Sequence, residues 1–327
     1  MKPIPYPLLL AGLAALAAVL AFVSLTAGRV WVPFSVWLAP DDPRSAIIFG
    51  LRAPRAVLGV LVGGGLGLSG AALQGYTRNP LADPAVLGVS AMAALGAVLA
   101  LYFGLAAATP WLLPAGAIVG ALAGIGVLLL LSGQTGGVVT FILAGVILQT
   151  MAGAGTALAL SMAPNPWASG EIVNWMLGSL QDRSLQEVEW AAPFVIGGGV
   201  LMLCTSRALD ALTLGETGAR ALGVPLGRTQ VLLALGVGLA VGGCVAVTGE
   251  IGFVGLVTPH LLRPFVGARP GRLLLPSALG GAVLVLAADT LVRLAPGAQE
   301  LKLSIAMTLV GAPFFLALLI SMRRRLA

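Results

Sequence analysis

The chain has 327 residues, 58% of them hydrophobic and only 9% charged, with a mean hydropathy of +1.02; a soluble domain carries about 25% charged residues, so a soluble globule is excluded. The 18 basic and 12 acidic residues leave a net charge of +6, but the basic positions stand at the ends of apolar runs and form no amphipathic stripe. A nucleic-acid partner is therefore not expected, and the charge reads as a membrane-topology signal.

Apolar runs able to cross about 30 Å of hydrocarbon fall at 8–27, 56–76, 85–107, 111–132, 138–162, 188–206, 229–248, 251–267, 273–292 and 304–322. They predict an all-α polytopic membrane protein with ten transmembrane helices, a single transmembrane domain over 1–327. The first run follows Lys2 but exceeds a signal-peptide core and lacks a convincing cleavage site, so it reads as an uncleaved helix. In the second run Gly63 and Gly67, and in the fourth Gly116, Gly120 and Gly124, set small residues one turn apart, where helix backbones can approach. Between the second and third runs, residues 78–84 (RNPLADP) form a turn placed on the inner side: Pro80 and Pro84 bar helix continuation and Asn79 suits a turn.

The fifth run and the loop after it carry Gln149, Thr150, Asn165, Trp167, Asn174 and Trp175. A wet pathway would accommodate such groups where lipid would penalise them, although Trp167 and Trp175 equally fit interfacial anchoring. Residues 206–230 are a polar island between long apolar runs. Ala208 to Leu214 and Glu216 to Leu222 are good helix formers, Gly215 and Gly223 punctuate them, and Pro225 stops the second. Two short helices are predicted, with Leu214, Ala219 and Leu222 as an apolar ridge and Glu216, Arg220 and Arg228 around it, shaped to plug a groove on a soluble partner.

An even number of spans puts both termini on one side. With the termini in the cytoplasm, the inner side holds Lys2, Arg78, Arg207, Arg220, Arg228, Arg269, Arg272 and Arg323 to Arg325 against Asp83, Asp210 and Glu216, while the outer charges balance. Catalysis has little support. The only lysines, Lys2 and Lys302, are in no P-loop setting; a single histidine, His260, and the absence of an H-E-x-x-H exclude a zinc-hydrolase pattern; Cys204 and Cys244 make neither a disulfide framework nor a metal site. No cofactor is expected. Of the ionisable residues within apolar runs, Glu250 and Asp289 fall near outer ends and Arg263 near an inner end, leaving His260 at depth beside Pro259, where a structural hydrogen-bonding role outweighs a proton relay. A secondary transporter or channel working without an ATPase is the alternative reading.

Residues 51–90 (LRAPRAVLGVLVGGGLGLSGAALQGYTRNPLADPAVLGVS) and 249–267 (GEIGFVGLVTPHLLRPFVG) resemble the FecCD-type permeases, the membrane subunits of bacterial ATP-binding-cassette importers for vitamin B12, haem and ferric siderophores. NWMLGSL at 174–180, GETGARALGVPLGR at 215–228 and AADTLVR at 287–293 extend the resemblance, in order, over nearly the whole chain. It implies a type II importer permease of the bacterial inner membrane, forming a homodimer with one central pathway, two cytoplasmic ATPase subunits and a periplasmic binding protein. By this resemblance Asn79 and Leu81 narrow the cytoplasmic mouth, and the short segment from Asn174 through Trp175 to Ser179 forms the outer gate. Gln149 and Thr150 face the pathway, and Leu214, Glu216, Ala219, Arg220 and Leu222 contact the ATPase. Arg52, Arg55 and Arg293, basic residues at translocated helix ends, meet acidic residues of the binding protein. The family's second constriction often carries small polar residues where this chain has Val138-Val139-Thr140, a departure. The residues leave open which chelate is carried and whether a paralogue replaces the second copy.

Overall fold

The computed structural model describes residues 4–28, 30–39, 41–133, 137–267, 269–296 and 300–326, with the side chains of 318, 319 and 321–326 outside the description. Lys2, Arg29 and the side chains of Arg323 to Arg325, used in the topology argument, lie outside the described residues. Among the described residues every regular element is helical. In chain order these are α1 (Tyr6–Thr26), α2 (Ala53–Thr77), α3 (Val89–Tyr102), α4 (Leu105–Ala108), α5 (Leu112–Ser132), α6 (Val138–Ser161), α7 (Pro166–Met176), α8 (Leu185–Cys204), α9 (Ser206–Leu212), α10 (Gly215–Ala221), α11 (Leu226–Thr248), α12 (Val254–Val266), α13 (Pro270–Leu294) and α14 (Leu303–Leu326). A π-helical stretch, Ile47–Arg52, runs directly into α2.

Among the described residues, seven helices are long and apolar enough to cross a membrane: α1, the continuous Ile47–Thr77, α5, α6, α8, α11 and α13. The predicted spans 85–107 and 251–267 are instead the short helices α3 and α12, of 14 and 13 residues. At 1.5 Å per residue each reaches only about 20 Å, too little to cross alone.

Close backbone packing builds the centre. A Cβ on Gly63 would strike the backbone of Gly281 and Ala282, and one on Gly67 the carbonyl of Ser277, so α2 and α13 cross in near contact. Gly96 of α3 meets Gly116 and Gly120 of α5 in the same way, while Gly124 lies against Met92. The small-residue stripes expected of the sequence are thus helix crossings, held by dispersion between backbones because lipid offers no hydrophobic drive between helices. Around this centre α6 keeps a largely open apolar face, with Val139, Leu143, Val146, Ile147, Met151 and Leu158 all exposed.

The 78–84 segment, expected as a short turn between two helices, turns back into the bundle. Arg78, in the left-handed region at φ 52°, ends α2. The Asn79 side chain accepts the Leu81 amide at 2.9 Å and the Asp83 side chain accepts the Ala85 amide at 2.9 Å. These two local turns reverse the chain, and Pro84 then packs where Gly255 meets the Leu66 carbonyl, about midway along α2. The segment therefore climbs back between the helices before α3 begins. Its counterpart, the irregular stretch after α11, brings Phe253 and the start of α12 to the same depth, so two short helices begin on either side of one central space.

Candidate translocation site

That central space is a cavity of about 240 Å³ whose polar lining is Asp83, Ser90, Gln149, Glu250, Ser304 and Thr308. The Asp83-Pro84 turn and Ser90 belong to the approach to α3, and Glu250 to Phe253 belong to the approach to α12. Both helices begin beside the cavity, so their first amides, which lack intrahelical acceptors, and the acidic side chains of Asp83 and Glu250 meet at its wall. Gln74 braces the arrangement, its amide nitrogen donating to the carbonyls of Gly255 at 3.3 Å and Leu256 at 3.4 Å. Sequence reasoning put Gln149 on this lining but missed Ser90, Ser304 and Thr308, isolated hydroxyls in apolar runs that carry no local signal. Glu250 was placed at an outer span end because residues 251–253, which are non-helical, were read as the start of the 251–267 span.

The remaining pathway residues do not gather here. Thr150 is exposed on α6 with its hydroxyl donating to the Val146 carbonyl at 2.8 Å. Asn174, Trp175 and Ser179 line a second cavity of about 260 Å³ beside the C-terminal end of α11, together with Glu171, Asp182 and Lys302. This end is knitted from three elements: the Ser179 amide donates to the Thr248 carbonyl at 2.8 Å and the Ser304 amide to the Gly178 carbonyl at 3.4 Å. Gly178 and Gly249 both take positive φ, and a Cβ on either would run into backbone, so neither position admits a side chain. Asn79 is exposed and Leu81 half-buried at the far end of α2. His260 sits edge-on to Phe314 with centroids 5.9 Å apart, a packing role.

Arg52, Arg55 and Arg293, expected as exposed basic ends of helices, are buried. Arg55 clasps Asp289, with Nε 3.0 Å from both carboxylate oxygens and Nη2 2.8 Å from Oδ1, and also pairs with Glu300. Arg293 lies 3.2 Å from Asp289 Oδ2 and donates to the Ser24 and Ala27 carbonyls at 3.0 and 3.2 Å. Arg52 donates to the carbonyls of Leu25, Thr26 and Val30. Arg55 and Arg293 thus share one buried carboxylate between α2 and α13, Arg52 and Arg293 hold the end of α1 by its carbonyls, and the three line an open cavity of about 430 Å³ with Gln181, Asp182 and Glu300.

The polar island folds as the two predicted short helices, α9 and α10, with a different face outward from the one expected. Ala219 is fully buried and belongs to the main core with Leu209 and Leu212, whereas Leu214 and Leu222 are 67% and 64% exposed and Arg220 is exposed too. Glu216 is turned inward as well: its Oε1 accepts the Val138 amide at 3.2 Å, supplying α6 with the acceptor its first turn lacks. Asp210 Oδ1 accepts the Gly271 amide of α13 at 2.8 Å. The helix pair is therefore bolted to α6 and α13, with only Leu214, Arg220 and Leu222 of the predicted contact residues left outward.

Comparison with known proteins bears on this arrangement. The model of the FecCD transport family matches residues 16–321. An uncharacterised ABC transporter permease protein, YvrB of Bacillus subtilis, is 38% identical over 293 residues, 88% of this chain and 82% of its own length. The vitamin B12 import system permease protein BtuC of Salmonella typhi is 36% identical over 316 residues, 96% of this chain and 95% of its own. A solved chain described as a metal-chelate type ABC transporter in an inward-facing conformation superposes with a TM-score of 0.86 at 33% identity, covering 97% of this chain and 99% of that one.

Proposed function

The chain belongs to the FecCD transport family and is an ABC importer permease, and from that premise we propose that it moves a bulky metal chelate, a ferric siderophore, cobalamin or haem, from periplasm to cytoplasm with ATP hydrolysed on separate subunits. The observation that carries the ATP-driven reading is the α9–α10 pair: a rigid, outward apolar ridge of Leu214 and Leu222 mounted on a helix that caps α6. A carrier working alone has no use for such a fixture, since a solvated loop would serve to join α8 to α11.

In this reading the chain sits in the bacterial inner membrane, in contact with lipid, crossing it ten times with both termini inside, α3 and α12 doing so together with the irregular segments that lead into them. Two copies enclose one pathway, with two ATPase subunits below and a periplasmic binding protein above. Gln149 lines the pathway with Thr150 beside it; Asn79 and Leu81 narrow its cytoplasmic mouth, and Asn174, Trp175 and Ser179 its outer end. Arg52, Arg55 and Arg293 receive acidic residues of the binding protein by exchange: Arg55 is already paired with Glu300, whose side chain is 17% exposed, so an incoming carboxylate displaces an internal partner instead of finding a bare charge. Leu214, Arg220 and Leu222 meet the ATPase directly, while Glu216 and Ala219 hold the pair in place.

Copurification tests the coupling surface. Leu214→Asp with Leu222→Asp puts two charges on an exposed ridge and is expected to release the ATPase subunits while leaving the thermal midpoint within about 2 °C, because exposed substitutions change stability by about 0.5 kcal/mol or less. Ala219→Asp buries a charge in the core and is expected to unfold the helix pair instead. Full ATPase retention by the double variant would remove the ridge from the mechanism.

A further inference from the structure

A further cavity of about 330 Å³ opens where α2 and α12 end and α13 begins, lined by Gln74, Arg78, Thr213, Arg263, Arg269 and Leu273 among others. Three of its residues are arginines and none is acidic. The guanidiniums of Arg78 and Arg269 are on exposed residues and make no hydrogen bond or ion pair among the described residues. Arg263 donates from Nη2 to the Gln74 side-chain oxygen at 2.7 Å, and its buried Nε has no acceptor among the described residues. The carboxylates near by are already engaged: Asp210 on the Gly271 amide and Glu216 on the Val138 amide.

Three cations around one cavity repel one another, and an unsatisfied buried N–H costs about 1–3 kcal/mol, so this arrangement calls for an anion that accepts from several guanidiniums at once. A tetrahedral phosphate, with oxygens directed to different sides, meets that need better than a single carboxylate. The depth agrees. The cavity lies against the last turn of α2, which ends at Thr77, and combines Leu273 and Ala71 with the three charges, as a basic pocket between membrane helices at the headgroup level would.

We propose that this cavity binds a phosphate group, of the kind borne by an anionic phospholipid headgroup or by a small soluble phosphate. Occupancy would brace α12 through Arg263 and Gln74, the same Gln74 that holds the carbonyls of Gly255 and Leu256 at the translocation cavity. The site does not depend on which chelate is carried.

Native mass spectrometry of the purified, delipidated full chain in detergent tests it, with phosphatidylglycerol, phosphatidylcholine and inorganic phosphate titrated separately. The wild type is expected to bind phosphatidylglycerol more tightly than phosphatidylcholine, and the Arg78→Gln, Arg269→Gln double variant at least about tenfold less tightly than the wild type, the loss expected for charge-assisted bonds. Both residues are exposed and unpaired, so the variant folds; its thermal midpoint without ligand verifies that, and Arg263→Gln gives a second, independent loss. Phosphatidylglycerol adducts that inorganic phosphate does not displace assign the headgroup, and residue-dependent binding of inorganic phosphate assigns a soluble anion. Equal binding of both lipids by wild type and variants, with no residue-dependent phosphate binding, overturns the proposal.

Discussion

Asp289 is the residue on which the junction of α1, α2 and α13 turns. It stands between Arg55 and Arg293, and its removal would leave two buried guanidiniums facing each other without a shared partner. Breaking a buried pair by deleting one member costs about 3–5 kcal/mol, so Asp289→Ala is expected to lower the thermal midpoint in detergent sharply. Glu300→Gln, at a partly exposed partner, should cost about 1 kcal/mol or less. A midpoint for Asp289→Ala equal to that of the wild type would mean that the network contributes nothing to the fold. The sequence made these arginines conspicuous, because basic residues are rare at translocated helix ends, but Asp289 lies 234 residues from Arg55. No periodicity links positions so distant, so charges that pair across the bundle read as free.

At the scale of elements, the informative contact is the one between α10 and α6. The Val138 amide is among the four at the head of α6 that lack an intrahelical acceptor, and Glu216 both bonds it and faces the positive end of the helix dipole. Glu216→Ala is expected to cost about 1 kcal/mol of stability, the usual loss of a cap. It should also reduce transport per ATP hydrolysed by several-fold while the ATPase subunits stay bound, because the ridge survives and its link to α6 does not. Unchanged coupling in that variant would move force transmission to the Asp210–Gly271 contact at α13. Helix existence here was legible from Gly215, Gly223 and Pro225, which punctuate the island where the structure breaks it. The outward face was not, since a seven-residue helix has too few turns for its apolar side to declare itself, and Ala219 fits a ridge and a core equally well. The short helices α3 and α12 were overextended for a related reason: the non-helical stretches leading into them are apolar and, buried in protein, need no polar marking.

For the whole molecule, the open apolar face of α6 and the seating of Gln149 on the central cavity fit a pathway closed by a second copy across a two-fold axis. Single cysteines at Asn79 and at Leu81 are then expected to crosslink between copies more readily in one nucleotide state than in the other, read by mobility on non-reducing gels of the assembled transporter. Equal yields in every state would leave residues 78–84 as a connector only. Family and class were legible because composition, glycine spacing and the 51–90 and 249–267 motifs all point the same way. The cavity between α3 and α12 was not, because it depends on how far two irregular segments re-enter the bundle, which hydropathy alone does not encode.

Uptake of chelate into proteoliposomes separates an ATP-driven importer subunit from a carrier working alone, with the binding protein outside and ATP inside, and the permease reconstituted with or without its ATPase subunits. Accumulation is expected only when permease, ATPase, ATP and binding protein are all present, and none by the permease alone at any substrate gradient. Saturable uptake by the permease alone, without nucleotide, would contradict the ATP-driven reading and establish a carrier that works without an ATPase.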